Sequence, residues 1–117
     1  MARSSEKAEK EAPSSRHNKD NKGSPEAYHA QYMLAKTLGA ENKPQNAAIA
    51  FDDAYNRNRN GDEAPESLLG LADSLASINQ NEAACDTLAS LNSQFPSPSP
   101  ALASRIASVN QKAHCAQ

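Results

Sequence analysis

The two cysteines are the residues whose chemistry stands out in this chain. Cys85 lies within NEAACDTLASL, residues 81–91, and Cys115 lies in the closing AHCAQ. Two thiols placed in this way can pair in a disulfide, remain free, or bind a metal together with His114. The metal site is the weakest of these alternatives, because His114 and Cys115 are adjacent and no fourth ligand is apparent. Pairing requires that the helices carrying the two cysteines bring their sulfurs together.

No pattern typical of a catalytic centre accompanies the cysteines. The sequence contains no glycine-rich phosphate loop, no nucleophile elbow and no paired-histidine metal motif. We interpret His17, His29 and His114 as surface histidines. The adjacent acids Asp52-Asp53 and Asp62-Glu63 are interpreted as solvated, because neighbours on a helix point to different sides. An enzyme is therefore the least favoured class, and no cofactor and no metal are expected.

Composition divides the chain into a polar arm and a helical domain. Residues 1–24 carry ten charged side chains, and such a segment cannot bury enough apolar surface to offset its ordering entropy, so a disordered arm is predicted. The formal charge is +2 on the arm and −4 on the remainder. A mildly acidic domain argues against nucleic acid as a partner. No apolar run approaches the roughly 18 residues of a membrane span, so no span is expected.

Helical periodicity begins after Ser24 and continues through the rest of the chain. Ser24 followed by Pro25 predicts the first helix start, and Gly39 and then Asn42-Lys43-Pro44 predict its end after about Leu38. Further helices are predicted to begin near Pro44, Pro65 and Pro100, and one more carries Cys85. We therefore expect an arm at 1–24 and a domain at 25–117. Its helix pairs span about 25–58 and about 64–97, and a final helix spans about 100–115.

The two helix pairs repeat one pattern of large and small side chains, 37 residues apart. The shared positions are Leu34, Ala35, Leu38, Ala47, Phe51 and Ala54 in the first pair, and Leu71, Ala72, Leu75, Ala84, Leu88 and Leu91 in the second. Such spacing is typical of the tetratricopeptide repeat, whose small residues let paired helices approach closely. It predicts an all-α, tetratricopeptide-type α-solenoid of two helix pairs plus a C-terminal capping helix. A plain helical bundle with coincident spacing is the alternative.

Residues 26–117 resemble the C-terminal tetratricopeptide domain of the Tol-Pal accessory proteins known as YbgF or CpoB, in their alphaproteobacterial form. The resemblance rests on AxYMLAKTL in the first helix, on AAIAFDDAY in the second, and on APESLLGLADSLASINQNEAACDTL across the third and fourth. A C-terminal helix ending in Cys adds to it. The 37-residue spacing and EAACDTLASLNSQFP are its most specific parts.

The resemblance implies a non-enzymatic periplasmic adaptor that binds TolA. In that family the protein helps to coordinate outer-membrane constriction with peptidoglycan synthesis during cell division, so the peptidoglycan synthesis machinery is a further implied partner. Family members carry a signal peptide, a coiled-coil trimerisation segment and another repeat unit upstream, and residues 1–24 resemble none of these. An oligomer is expected only if an upstream coiled coil exists. The alternative function is a general tetratricopeptide scaffold or chaperone with another protein partner.

The first helix of each pair lines the concave face in tetratricopeptide folds, which gives six candidate partner-binding residues. They are His29, Tyr32 and Lys36 on the first helix of the first pair, and Glu66, Leu69 and Asp73 on the first helix of the second pair. Tyr32 and Leu69 are apolar side chains that either anchor a partner or complete the packing between the two units.

The repeat register also bears on the cysteines. The last unit of a solenoid leaves an apolar face open, and we expect Leu102, Ile106 and Val109 of the final helix to cover it. If this helix runs antiparallel to the fourth, its end comes close to Cys85. We therefore predict an intramolecular disulfide between Cys85 and Cys115, with two free thiols as the main alternative.

Overall fold

The computed structural model describes residues 23–115, and these residues form five α-helices with no β-strand among them. The helices are α1 (Pro25–Ala40), α2 (Pro44–Arg57), α3 (Ala64–Ser77), α4 (Asn81–Gln94) and α5 (Pro100–Lys112). The predicted all-α class is thus confirmed. The predicted arm lies outside the described residues, except for Gly23 and Ser24. No described helix combines the length and apolar character needed to cross a membrane.

Serine and proline begin the first helix as the sequence predicts, and the last helix begins in the same way. The Ser24 hydroxyl accepts a hydrogen bond from the backbone N–H of Ala27 at 3.1 Å, and Ser99 accepts one from Leu102 at 3.2 Å. Each serine satisfies an N–H that has no partner within its helix. A proline also occupies the first turn of four of the helices, where the missing N–H is not needed.

The helices α1, α3 and α5 end in the same type of turn. Asn42, Asn79 and His114 have φ values of 62°, 63° and 58°. The residue after each of them donates its backbone N–H to the carbonyl five residues earlier, at 2.9 to 3.0 Å. This left-handed closure satisfies carbonyls at the helix end, and Asn and His tolerate it better than most residues. Helix α1 ends at Ala40, two residues beyond the predicted Leu38, and of the two predicted break points the chain turns at Asn42, while Gly39 is still helical.

Alanines stand where the paired helices approach most closely. Each helix contacts the next along the chain, and α3 also contacts α1 and α5. Four alanines at equivalent positions of the two pairs have 0% exposure: Ala35, Ala47, Ala72 and Ala84. Their small side chains allow a short interaxial distance, which lets the larger neighbours interdigitate.

Gly70 allows α3 to lie directly against the ring of Phe51 on α2. A Cβ at this position would meet two Phe51 ring carbons at 2.5 Å. Gly70→Ala gains about 1 kcal/mol of helix propensity, yet we expect a net loss of about 1–3 kcal/mol in the free energy of unfolding because the buried ring must shift. Gly39→Ala is the matched control. Its Cβ meets only the Ala47 Cβ at 4.0 Å, so this variant should gain up to about 1 kcal/mol.

Urea denaturation followed by circular dichroism measures both glycine variants. The double variant Gly70→Ala/Phe51→Leu supplies a second check, since a smaller side chain at position 51 should relieve the contact. The packing argument fails if Gly70→Ala is as stabilising as Gly39→Ala.

The buried side chains include most of the residues predicted for the core, with one clear exception. Leu88 and Leu91 are 1% and 0% exposed, and Leu102, Ile106 and Val109 of α5 pack against them as predicted. Leu34 was predicted to be a core position, and this is wrong because half of it is exposed. Its counterpart Leu71 packs partly buried against Phe51 and its neighbours, since α2 lies alongside it.

Candidate protein-binding face

Three helices present charged side chains at matching positions. Each of α1, α3 and α5 carries two such residues, seven positions apart and thus on one side of its helix. They are His29 and Lys36 on α1, Glu66 and Asp73 on α3, and Arg105 and Lys112 on α5. We call this surface the odd-helix face. It places an acidic row on α3 between rows of basic residues on α1 and α5.

The rows on α3 and α5 are joined by two ion pairs. Arg105 Nη1 lies 2.7 Å from Glu66 Oε1, and Lys112 Nζ lies 2.7 Å from Asp73 Oδ1. Lys112 also donates a hydrogen bond of 2.7 Å to the Ser77 hydroxyl. These side chains remain solvated, so each pair contributes at most about 1 kcal/mol to stability. They join α3 and α5 at two points that lie two helical turns apart.

The α1 row has different contacts. His29 Nδ1 lies 2.5 Å from Glu63 Oε2, in the residue just before α3. Lys36 Nζ lies 5.5 Å from the centre of the Tyr32 ring, a distance at which a cation is attracted to the ring face. No carboxylate within residues 23–115 pairs with Lys36. Lys36 is therefore the cation of this face that remains available to an anionic group of a partner.

Tyr32 and Leu69 lie beneath the face as part of the core. Tyr32 is 9% exposed and stacks edge-on against Phe51, with ring centres 6.2 Å apart, and Leu69 is 2% exposed. Burial raises the pKa of the Tyr32 hydroxyl above its ordinary value of 10.0, and the nearby Glu66 carboxylate adds to the increase. In this structure Tyr32 and Leu69 therefore complete the packing between the two units and do not serve as exposed anchors for a partner. The four charged candidates are the ones that reach solvent.

A small cleft lies between α3 and α5 on the same face. It has a volume of about 210 Å³ and is lined by Leu69, Gly70, Asp73, Arg105, Ser108 and Val109. Its size suits one side chain of a protein partner, and it is smaller than the typical pocket for a small-molecule ligand.

Sequence reasoning missed the basic residues of α5. Arg105 lies 39 residues after Glu66, and Lys112 lies 39 residues after Asp73. This equal spacing, close to that of the repeat, is a signal that could have identified both. It was overlooked because α5 was considered only as an apolar cover for the last unit. Glu63 was also missed, since it lies in the connection before α3 and belongs to no repeat position.

The cysteines form the predicted disulfide. The sulfur atoms of Cys85 and Cys115 lie 2.07 Å apart and their Cα atoms 5.6 Å apart, at a sequence separation of 30. The bond joins the first turns of α4 to the segment after α5, and both cysteines pack against Ala76, Ala84 and Ala113. This pairing leaves neither thiol for the free or metal-bound alternatives. Within the described residues no group of three potential metal ligands occurs.

The odd-helix face is thus broad, charged and held by a rigid packed base. Such a surface can contact an extended or helical segment of another protein through charged side chains, with a cleft for one side chain at its centre. Comparisons of the chain with protein-family models, with curated proteins and with solved structures found no match.

Proposed function

We propose that residues 25–117 form a tetratricopeptide-type α-solenoid and that the chain is a non-enzymatic adaptor that binds a protein partner through the odd-helix face. The observation that carries this proposal is the complete burial of alanines at four matching repeat positions, Ala35, Ala47, Ala72 and Ala84. Close approach of paired helices at these positions is the structural reason for the repeat pattern.

Three further features support the solenoid. Asn42 and Asn79 adopt the same left-handed turn 37 residues apart, so the backbone repeats with the sequence. Each helix contacts the next along the chain and α3 also contacts α1 and α5, so the odd-numbered helices stand side by side, as stacked helix pairs place them. Finally, α5 closes with the same turn as α1 and α3, which suits the first helix of an incomplete third unit.

The proposed partner is TolA, on the strength of the resemblance to the Tol-Pal accessory proteins. In that role the chain acts in the periplasm and helps to coordinate outer-membrane constriction with peptidoglycan synthesis at division. The Cys85–Cys115 disulfide is compatible with an oxidising compartment. A general tetratricopeptide scaffold or chaperone would use the same face for a different partner.

Calorimetric titration of the oxidised chain with the soluble part of TolA tests the adaptor function. We expect saturable one-to-one binding that Lys36→Glu weakens about tenfold, since Lys36 is the cation of the face that pairs with no carboxylate among residues 23–115. Lys43→Glu is the matched control, because it makes the same charge change at an exposed position between α1 and α2. Its affinity should stay within twofold of the unmodified protein.

Two other results would refute parts of the proposal. No binding by a demonstrably helical, oxidised sample would remove TolA as the partner. Equal loss of affinity in both lysine variants would remove the odd-helix face as the binding surface.

A further inference from the structure

A second surface of the molecule, between α1 and α2, carries exposed apolar side chains. Leu34 is 50% exposed and Ile49 is 71% exposed. Together with Leu38 they line a cleft of about 630 Å³ between α1 and α2. This α1/α2 cleft is three times the volume of the cleft on the odd-helix face, and it shares no lining residue with it.

The internal repeat indicates what shape this cleft accepts. Leu71 occupies the position equivalent to Leu34, and in the second unit that position is partly buried against the cluster around Phe51 of α2. A helix therefore covers this side of α3. On α1, Leu34 and Leu38 stand at the offsets of Leu71 and Leu75, and no preceding helix of the described chain lies beside them. The occupant that fits the α1/α2 cleft is thus an amphipathic helix.

The charges around the cleft indicate the chemistry of that helix. Asp52 and Asp53 stand at its edge, and no Lys, Arg or His lines it among the described residues. Arg57 pairs with Asp53 at 3.0 Å, whereas no ion pair within residues 23–115 involves Asp52. A carboxylate beside apolar side chains favours a helix with lysine or arginine next to its apolar stripe.

Two other occupants fit these features less well. A second copy of the chain docked by the same face would bring the Asp52 and Asp53 carboxylates of both copies into one interface. The segment at residues 1–22 has Met1 and three alanines as its apolar side chains, which are too few to fill the cleft.

We propose that the α1/α2 cleft is a second binding site, which takes a basic amphipathic helix of another protein through Leu34, Leu38, Ile49 and Asp52. This site is independent of the odd-helix face and of the identity of the partner bound there. A chain with both sites can hold two proteins at once.

Fluorescence polarisation with a designed peptide tests the site on the full oxidised chain. The probe is a labelled peptide of about 18 residues, long enough to be helical, with leucines at helical spacing and lysines beside them. Its twin has glutamate in place of every lysine. We expect saturable binding of the basic peptide and at least tenfold weaker binding of the acidic one.

Variants locate the binding on the protein. Ile49→Gln should weaken the basic peptide about tenfold, which is ~1.4 kcal/mol, and Asp52→Lys should weaken it several-fold. Asp86→Lys is the matched control, because it makes the same charge change at an exposed position of α4. Its affinity should remain within twofold. Lys36→Glu, which tests the odd-helix face, should not weaken the peptide.

Three results would overturn the proposal. Equal affinity for the basic and acidic peptides would remove the charge argument. Unchanged affinity in Ile49→Gln would place the peptide elsewhere. Sedimentation that shows a concentration-dependent dimer lost in Ile49→Gln would mean that a second copy, and not a foreign helix, covers the cleft.

Discussion

Loss of the Cys85–Cys115 disulfide is expected to lower the free energy of unfolding by about 3–4 kcal/mol. The bond closes a loop with a sequence separation of 30 residues, and in the chain-entropy model a loop of that length restricts the unfolded chain by this amount. For a domain of this size the melting temperature should fall by roughly 15–25 °C. The loss is large because small domains are stable by only about 5–15 kcal/mol in total.

Urea denaturation of the oxidised protein and of the Cys85→Ala/Cys115→Ala variant measures this effect. Addition of dithiothreitol should destabilise the natural sequence to the level of the variant and leave the variant itself unchanged. Reduction breaks the bond but keeps both cysteine side chains. The comparison of the reduced natural sequence with the variant therefore separates the stability due to the covalent bond from that due to the packing of the cysteine side chains. Equal denaturation midpoints for the oxidised and reduced proteins would contradict the prediction.

Leu91→Ala is expected to cost about 3 kcal/mol, because the side chain is 0% exposed and fills the space between α3, α4 and α5. Repeat sequences usually have a small residue at this position, so an alanine there agrees with the repeat pattern. The structure nevertheless predicts a large loss, since Leu68, Leu88 and Ile106 pack in the same cluster. Removal of the isobutyl group would leave a cavity that these neighbours close only in part.

Leu34→Ala is the matched comparison for this prediction. It removes the same atoms from a half-exposed position, and we expect it to cost less than about 1 kcal/mol. Both variants keep the disulfide, so their urea midpoints can be compared at a constant slope. A loss for Leu34→Ala as great as that for Leu91→Ala would mean that Leu34 is covered in solution.

The odd-helix face was only partly predictable from the sequence. The repeat register identified His29, Lys36, Glu66 and Asp73, which all reach solvent. It also selected Tyr32 and Leu69, which are buried. Register alone gives the direction of a side chain from its helix, whereas burial depends on the distance to the neighbouring helix. Here Tyr32 packs edge-on against Phe51, and Leu69 lies in the cluster that also contains Leu88.

By itself, the sequence determined the features that depend on a few neighbouring residues. Serine caps and prolines begin the helices, and matching alanines mark where paired helices meet, because these effects act within one or two turns. Only the tertiary structure decided which of two equivalent leucines is buried, and which acids Arg105 and Lys112 pair with. Leu34 and Leu71 occupy the same repeat position, yet only Leu71 packs against the cluster around Phe51 of α2. A side chain is buried only where a neighbouring helix packs against it, and the local sequence pattern does not specify the position of that helix.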